Sequence, residues 1–258
     1  MSLTAKDLFN IDGRVALVTG GSSGVGKMIA SVFAANGART YVTGRNADRL
    51  AMAAAELAGL GDCRPLQADL SNMIGIEQLV EALAAQESRL DILVNNAGTT
   101  WVAPFESFPE AGWDKLFDVN VKSPFFLIQK LLPLLRAAAT EDHWARVINI
   151  SSTGARSTAT ATLVYNASKA AVEQMTRVMA KALGPDRVTV NAIAPGWFPS
   201  RINEKNPQDV GDRWKAQAPL GRFGTPEDIG GLAMFLCSRA GAFVDGQVID
   251  LDGGRMGG

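Results

Sequence analysis

A tyrosine and a lysine stand four positions apart in the stretch "YNASK", as Tyr165 and Lys169. On a helix, two side chains at this spacing project from the same face. A free phenol has a pKa of about 10, which makes it a poor acid or base near neutral pH. An ammonium group about 4 Å away stabilises a phenolate by about 4 kcal/mol at an effective dielectric constant of about 20. We therefore interpret Lys169 as the group that lowers the pKa of Tyr165 into a working range for proton transfer.

Tyr-x-x-x-Lys pairs also occur on many helices by chance, so the pair needs partners. Ser152 ends the stretch "INISS", thirteen residues before Tyr165, and Asn96 lies in "NNAG" after another apolar run. If both runs are parallel strands, their carboxyl ends meet at one edge of a sheet, where open α/β folds bind ligands. The spacing therefore predicts one site at this edge.

Short apolar runs alternate with longer helical patterns along the whole chain. The runs are rich in Val and Ile and lack polar alternation, which predicts strands buried on both faces of a parallel sheet. They cover 14–20, 40–44, 63–70, 91–98, 146–152, 189–196 and 247–254. The predicted helices include 27–37, 48–61, 75–86 and 165–183. We expect an α/β fold, a single Rossmann-type domain over residues 1–258 with a doubly wound parallel sheet of about seven strands and helices on both faces.

Composition argues against several classes of protein. With 47% apolar and 20% charged residues and a net charge of −1, the chain is typical of a globular protein and has no basic patch for nucleic acid or membrane. His143 is the only histidine, so we expect no metal site and no Ser-His-Asp triad. Cys63 and Cys237 lack a CxxC pattern and are predicted to be buried, reduced thiols. With neither a secretory signal nor a membrane-spanning run, we expect a cytoplasmic location.

The stretch "VTGGSSGVG" follows the first predicted strand and opens the first helix, with glycines at Gly20, Gly24 and Gly26. Such a turn lets the backbone approach a pyrophosphate at a helix N-terminus, although many strand–helix turns contain glycine for steric reasons alone. After the second predicted strand, Gly44 and Arg45 stand where a carboxylate would bind a ribose 2′-hydroxyl. A guanidinium in place of that carboxylate favours NADP(H), and the alternative is a solvated arginine.

With these motifs the chain resembles the short-chain dehydrogenase/reductase family. "TGGSSGVG", "NNAG", "FDVNV", "INISS", "YNASK" and the "PG" of residues 195–196 run in the family's order over essentially the whole chain. The resemblance implies a catalytic tetrad of Asn120, Ser152, Tyr165 and Lys169. It implies that Tyr165 exchanges a proton with the carbonyl oxygen and Ser152 hydrogen-bonds the same oxygen. Lys169 would also bind the nicotinamide ribose, and Asn120 would hold a water that passes protons to the lysine.

For the cofactor, the resemblance implies contacts with the phosphates, the 2′-phosphate, the adenine, the ribose and the carboxamide of NADP(H). In chain order, the residues concerned are Gly20, Ser22, Ser23, Gly24, Val25, Gly26, Arg45, Asp69, Leu70, Asn96, Gly98, Tyr165, Lys169, Pro195, Gly196, Phe198 and Ser200. Many NADP-dependent members have a basic residue just before the second motif glycine, where this chain has Ser23. The preference for NADP(H) therefore depends on Gly44 and Arg45.

Within the family, stretches such as "NAIAPGWFPSR" are most similar to the 3-oxoacyl-thioester reductase branch, including its rhamnolipid-linked members. This implies reduction of a 3-oxoacyl thioester, carried by acyl carrier protein or coenzyme A, to a 3-hydroxyacyl product. Residues 197–222 are predicted to form a lid, whose five basic and three acidic residues either receive an anionic carrier or are simply solvated. Trp101, Trp197 and Phe198 either line an apolar channel or pack in the core.

Two other functions stay open at the level of sequence. One is a carbonyl or secondary-alcohol dehydrogenase that acts on a free ketone, a sugar alcohol or a steroid-like molecule. The other is a nucleotide-sensing protein without turnover, against which the intact Tyr165–Lys169 pair argues. The family resemblance also implies a homotetramer formed through long helices within 110–136 and 165–183.

Overall fold

A seven-stranded, fully parallel sheet forms the centre of the computed structural model, which describes residues 3–199 and 208–256. The strands are β1 Val15–Val18, β2 Arg39–Gly44, β3 Cys63–Gln67, β4 Ile92–Asn95, β5 Ala145–Ile150, β6 Val188–Pro195 and β7 Val248–Leu251. Each lies within or next to a predicted run. Every residue of β1, β4, β5 and β6 is buried, which explains their unbroken apolar sequences.

Nine α-helices connect and flank the strands in the described residues. They are α1 Ala5–Leu8, α2 Gly24–Ala35, α3 Ala47–Ala58, α4 Met73–Ala84, α5 Glu110–Phe117, α6 Ser123–Ala138, α7 Leu163–Leu183, α8 Gln208–Gln217 and α9 Pro226–Cys237. Side-chain oxygens of Asn46 and Asn72 accept hydrogen bonds from the first turns of α3 and α4, at 2.9 Å each. The helix predicted over 27–37 is α2. It begins at Gly24 and ends before Gly37, whose φ of 83° is typical of a helix-terminating glycine.

The strand order is β3-β2-β1-β4-β5-β6-β7. The chain builds outward from β1 to β3, then returns to the other side of β1 with β4 and continues outward to β7. The order therefore reverses between β1 and β4, and the helices diverge there at the carboxyl edge of the sheet. Open parallel sheets bind their ligands in the crevice at such a point.

The core lies in two layers, one on each face of the sheet. One contains Ile29 and Phe33 of α2 together with Ile229 of α9. The other contains Leu79 of α4 and Leu127 of α6. Helices thus cover both faces, as the sequence predicts for a doubly wound fold. In the described part of the chain, no helix combines the length and apolarity needed to cross a membrane.

The cysteines agree with the prediction from their spacing. Cys63 and Cys237 are both buried and unpaired. Burial raises the pKa of the Cys63 thiol to about 11 and that of Cys237 to about 12. Both thiols are therefore protonated and chemically inert in the native fold.

The lid predicted over 197–222 is described only in part. Residues 208–217 form α8, and residues 200–207 lie outside the described residues. Ser200, the residue expected to bind the carboxamide, falls in that gap. The lid stays a prediction.

Candidate active site

A cavity of about 870 Å³ opens at the carboxyl edge of the sheet, where the strand order reverses. It is walled by the loops that follow β1, β2, β3, β4, β5 and β6. Most of the residues singled out in the sequence line it. Those lining it are Gly20, Ser22, Ser23, Gly24, Val25, Arg45, Asp69, Leu70, Asn96, Gly98, Ser152, Tyr165, Lys169, Pro195, Gly196 and Phe198. Asn120 and Gly26 lie behind its wall, and Ser200 is outside the described residues.

The turn after β1 has the shape that a bound phosphate requires. Gly20 and Gly24 have φ values of 65° and 55°, in the left-handed region that favours glycine. A β-carbon at Gly26 would lie 2.3 Å from Nδ2 of Asn96, so only glycine lets α2 pack this closely against the end of β4. The hydroxyls of Ser22 and Ser23 form no hydrogen bond with any described residue, and the N-terminus of α2 offers free N–H groups. These donors fit a pyrophosphate.

Two arginines stand at the far end of the cavity, after β2. Arg45 and Arg49 both line it and both are exposed. Arg49 is the fourth residue after Arg45 and belongs to the first turn of α3, so the two side chains lie in one region of the wall. Asp69 and Leu70, which follow β3, line the same end. The sequence reasoning identified Arg45 but missed Arg49, because Arg45 lies before α3 and no helix spacing relates the two residues.

Asn96 braces the glycine turn. Its Nδ2 atom donates to the carbonyl oxygens of Thr19 and Gly20, at 2.8 and 3.3 Å. The Thr19 hydroxyl in turn accepts from the main-chain N–H groups of Asn96 and Ala97, at 2.9 Å each. This network joins the ends of β1 and β4 across the reversal of strand order. Asn96 therefore has a structural part in the site besides the ribose contact predicted for it.

Tyr165 and Ser152 meet at the inner wall of the cavity. The Ser152 Oγ atom accepts a hydrogen bond from the N–H of Gly154 at 3.0 Å, and Ser152 caps a short 3₁₀ helix, Thr153–Arg156. This bond orients the hydroxyl. Burial raises the pKa of the Tyr165 phenol above its ordinary value of 10.0, and a hydrogen bond with Ser152 lowers it in part. Tyr165 is therefore protonated at neutral pH and is able to act as an acid.

Lys169 lies deeper than Tyr165 and is almost fully buried, at 5% exposure. Its Nζ atom donates to the carbonyl oxygen of Ile150 at 2.7 Å and stands 5.9 Å from the centre of the Tyr165 ring. Burial lowers the pKa of this ammonium from 10.5 to about 8. Burial is the largest cause of the shift in the Tyr165 pKa, and Lys169 is not among its causes, so the expectation that Lys169 lowers the pKa of Tyr165 stays a prediction. With its own pKa lowered by burial to about 8, Lys169 is a group that gains or loses a proton near neutral pH.

Asn120 occupies a π-helical turn, Asp118–Lys122, between α5 and α6. Such turns interrupt α-helices frequently at functional sites. The side chain is buried, accepts from the N–H of Thr99 at 2.9 Å, and donates to the Thr99 carbonyl and the Ser168 hydroxyl at 3.0 Å each. A β-carbon at Gly98 would lie 3.4 Å from Asn120 Oδ1 and 3.7 Å from Lys169 Nζ. Asn120 is thus close to Lys169, and the water relay between them stays a prediction.

A loop clamp adjoins the Tyr165–Ser152 pair, and the sequence reasoning missed it. Asn166 is buried and donates to the carbonyl oxygens of Ser157 and Ala159 at 3.4 and 3.3 Å, while its Oδ1 accepts from the Thr162 hydroxyl at 3.2 Å. These bonds hold the segment between β5 and α7 against the start of α7. The segment contributes Ser157, Ala159 and Thr162 to the cavity wall. No local pattern marks Asn166, because its partners lie in an irregular loop.

The aromatic residues divide between the wall and the packing. Trp197 and Phe198 line the cavity, and Phe198 is also part of the buried core. Trp101 does not line it. Its ring packs so close to Gly112 that a β-carbon there would lie 3.0 Å from it, and the Lys115 ammonium stands 5.5 Å from the ring centre. Of the two alternatives that the sequence left open, packing therefore applies to Trp101, whose ring contacts α5.

A family model described as enoyl-(acyl carrier protein) reductase matches residues 20–255, nearly the whole chain. The chain is 46% identical over 250 residues to the rhamnolipids biosynthesis 3-oxoacyl-[acyl-carrier-protein] reductase of Pseudomonas aeruginosa, covering 95% of this chain and 97% of that protein. The chain belongs to the short-chain dehydrogenase/reductase family. It is an oxidoreductase, as the tetrad implies.

A solved relative supports the same assignment. The fold superposes on the structure described as the Pseudomonas aeruginosa RhlG/NADP active-site complex with a TM-score of 0.93, at 45% identity, covering 96% of this chain and 98% of that chain. A relative with another substrate is gluconate 5-dehydrogenase of Gluconobacter oxydans, 34% identical over 260 residues and covering 98% of each chain. The family thus fixes the type of chemistry, and the substrate has to be argued from the site.

Proposed function

We propose that this protein reduces a 3-oxoacyl thioester to a 3-hydroxyacyl thioester with NADPH. The observation that carries the proposal is the single cavity that joins the glycine turn and Arg45 at one end to Ser152, Tyr165 and Lys169 at the other. The similarity to a 3-oxoacyl-[acyl-carrier-protein] reductase over 95% of the chain supports the thioester as substrate.

The residues of the chain act on the carbonyl oxygen. Bound NADPH supplies the hydride. The Ser152 Oγ atom accepts a hydrogen bond from the Gly154 N–H, so the hydroxyl proton is available to donate to the carbonyl oxygen. This donated hydrogen bond stabilises the negative charge that develops on that oxygen. Tyr165 gives its proton to the same oxygen. Lys169, with a pKa of about 8, returns a proton toward Tyr165 from its buried position.

The cofactor assignment depends on charge at the adenosine end. Arg45 and Arg49 both face the cavity there, and a phosphate is the group that two guanidinium ions recognise best. A ribose 2′-hydroxyl would need an acceptor instead, and Asp69 is the one carboxylate among the described residues that line the cavity. The pair of arginines therefore favours NADPH over NADH.

The test is the loss of NADPH absorbance with purified protein and acetoacetyl or longer 3-oxoacyl thioesters. The Tyr165→Phe variant, which keeps the ring and removes the acid, is the control. We expect thioester reduction that the variant loses and that is slow with NADH. A crotonyl thioester tests for reduction of a carbon–carbon double bond, the activity in the family model's description.

The second candidate is a dehydrogenase for free ketones or sugar acids, which the similarity to gluconate 5-dehydrogenase favours. It predicts turnover of 5-ketogluconate or simple ketones while the thioesters stay inert. Cofactor binding without turnover of any carbonyl would instead support a nucleotide sensor.

We also propose a homotetramer in the cytoplasm, with one domain over 1–258 and a lid over 197–222. The long helices α6 and α7 carry exposed apolar residues such as Phe125 and Val178, at 40% and 58% exposure, which suit a subunit interface. The two free thiols suit a reducing compartment. Sedimentation of the purified protein tests the tetramer, and cell fractionation tests the location.

A further inference from the structure

Cationic side chains line the active-site cavity both at its adenosine end and away from that end. Among the residues that the structure describes, five cationic side chains line it, and they face one lining carboxylate, Asp69. The cations are Arg45, Arg49, Lys115, Lys169 and Arg255. A cavity that concentrates one sign of charge attracts ligands of the opposite sign.

Three of the five cations have a part in the proposed reaction. Arg45 and Arg49 stand at the 2′-phosphate end. Lys169 is buried beside Tyr165. The main-chain N–H groups of the glycine turn would hold the pyrophosphate, which would need no cationic side chain there. Lys115 and Arg255 are therefore left without an anion to bind.

The fold places these two cations far from the 2′-phosphate. Arg45 follows β2, whereas Arg255 follows β7 at the other end of the sheet. Five strand spacings of about 4.8 Å separate β2 from β7, or about 24 Å. Lys115 lies on α5, which packs against α7, the helix of Tyr165. Both cations thus belong to the substrate side of the cavity.

Neither cation is paired with a carboxylate in the part of the chain that the structure describes. Lys115 is exposed and lies over the Trp101 ring at 5.5 Å, and Arg255 is half-buried. Neither forms an ion pair or a hydrogen bond with a carboxylate in residues 3–199 or 208–256. Arg222, by contrast, binds both carboxylate oxygens of Asp228, and Lys122 pairs with Asp118.

We propose that Lys115 and Arg255 form an anion site for the 4′-phosphate of the pantetheine arm that carries the acyl group. This inference rests on the proposed thioester substrate. The arm is neutral from the thioester to its phosphate, so the phosphate is the first charge that two cations at the rim of the cavity meet. The site would select carrier-bound substrates over free ketones, because a free ketone offers no charge to these side chains.

The test compares four acetoacetyl thioesters: those of N-acetylcysteamine, pantetheine, 4′-phosphopantetheine and coenzyme A. The variants are Lys115→Gln, Arg255→Gln and the double variant, with Lys181→Gln as a matched control on an exposed part of α7. We expect each single variant to raise KM for the two phosphorylated thioesters about fivefold, and the double variant to raise it further than either single variant. We expect kcat, the KM for both neutral thioesters and the Kd of NADPH to stay unchanged. In the parent, added salt should raise KM only for the phosphorylated thioesters.

Four results would overturn the anion site. The first is a KM that the substitutions leave unchanged, and the second is a KM that rises equally for neutral and phosphorylated thioesters. A response confined to the coenzyme A thioester would assign the charge to its nucleotide phosphates. A weaker Kd of NADPH in Arg255→Gln would assign that arginine to the cofactor. The N-acetylcysteamine thioester separates the two hypotheses, because its reduction by the parent tests the proposed function without the phosphate.

Discussion

Replacing Lys169 by methionine is expected to change how the stability of this protein depends on pH. The substitution keeps a long unbranched side chain and removes the buried ammonium. Burial lowers the pKa of Lys169 to about 8 in the folded protein, against 10.5 for an ordinary lysine. Between these two values the unfolded chain binds more protons than the folded chain. The free energy of unfolding of the parent therefore rises with pH in this window.

The size of the effect follows from the two pKa values. A full proton of difference between the states changes the free energy of unfolding by about 1.4 kcal/mol per pH unit. Between about pH 6.5 and about pH 9.5, Lys169 alone contributes a rise of about 2 kcal/mol in the parent. The methionine variant lacks this rise. At the acid end it also escapes the desolvation cost of about 3 kcal/mol, and it loses the hydrogen bond to the Ile150 carbonyl, at a cost of about 1–3 kcal/mol.

The assay is unfolding by denaturant at a fixed protein concentration and a series of pH values, for the parent, Lys169→Met and the control Lys181→Met. We expect the difference in the free energy of unfolding between parent and Lys169→Met to shift by about 2 kcal/mol in favour of the parent as the pH rises. Effects of the cysteines are common to both proteins and cancel in the difference. Parallel curves for parent and variant would refute the reasoning, because they would show that burial does not disfavour the ammonium. The variant should be inactive in the reduction assay.

Three further predictions follow from the geometry of the site. Arg45→Gln should raise the Kd of NADPH, measured by fluorescence titration, by about 10–100-fold, because the substitution removes a charge-assisted contact with phosphate. An equal rise in the Kd of NADH would contradict the assignment of Arg45 to the 2′-phosphate. Gly154→Ala should lower kcat by about tenfold with an unchanged Kd of NADPH, since its β-carbon would lie 2.9 Å from Asn166 Oδ1 and push on the loop clamp; an unchanged kcat would contradict the role of the loop. Cys63 and Cys237 should react with an aromatic disulfide reagent at least about 100-fold more slowly in the native protein than in guanidinium, because burial keeps both thiols protonated; rapid release of two equivalents from the native protein would contradict their burial.

The local sequence predicts the role of a residue where that role depends only on the strand, turn or helix that contains the residue. Buried parallel strands need unbroken apolar runs, so all seven strands were found from composition and length. The glycines of the first turn were found because the left-handed conformation at Gly20 and Gly24 excludes most other residues. The predicted site residues converge on one edge because parallel strands bring their carboxyl ends together. Ser152, Tyr165 and Lys169 accordingly line one cavity.

The tertiary structure decided what depends on residues far apart in the chain. The pKa of Lys169 is lowered by burial, and the Tyr165–Lys169 spacing says nothing of how deeply the lysine lies. Asn166 holds the loop before α7 because two carbonyl oxygens of that loop lie within its reach. Trp101 does not line the cavity, because its ring packs against α5.

The positive charge on the substrate side of the cavity also depends on the tertiary structure and not on the local sequence. Lys115 and Arg255 are 140 positions apart in the sequence, and only the packing of α5 and the last strand brings both to one cavity. The sequence by itself determined the fold, the catalytic residue types and the phosphate-binding turn, because these depend on patterns within one strand, one turn or one helix. The tertiary structure determined burial, proton affinity and the sum of charge around the substrate, because each of these depends on the distances between elements.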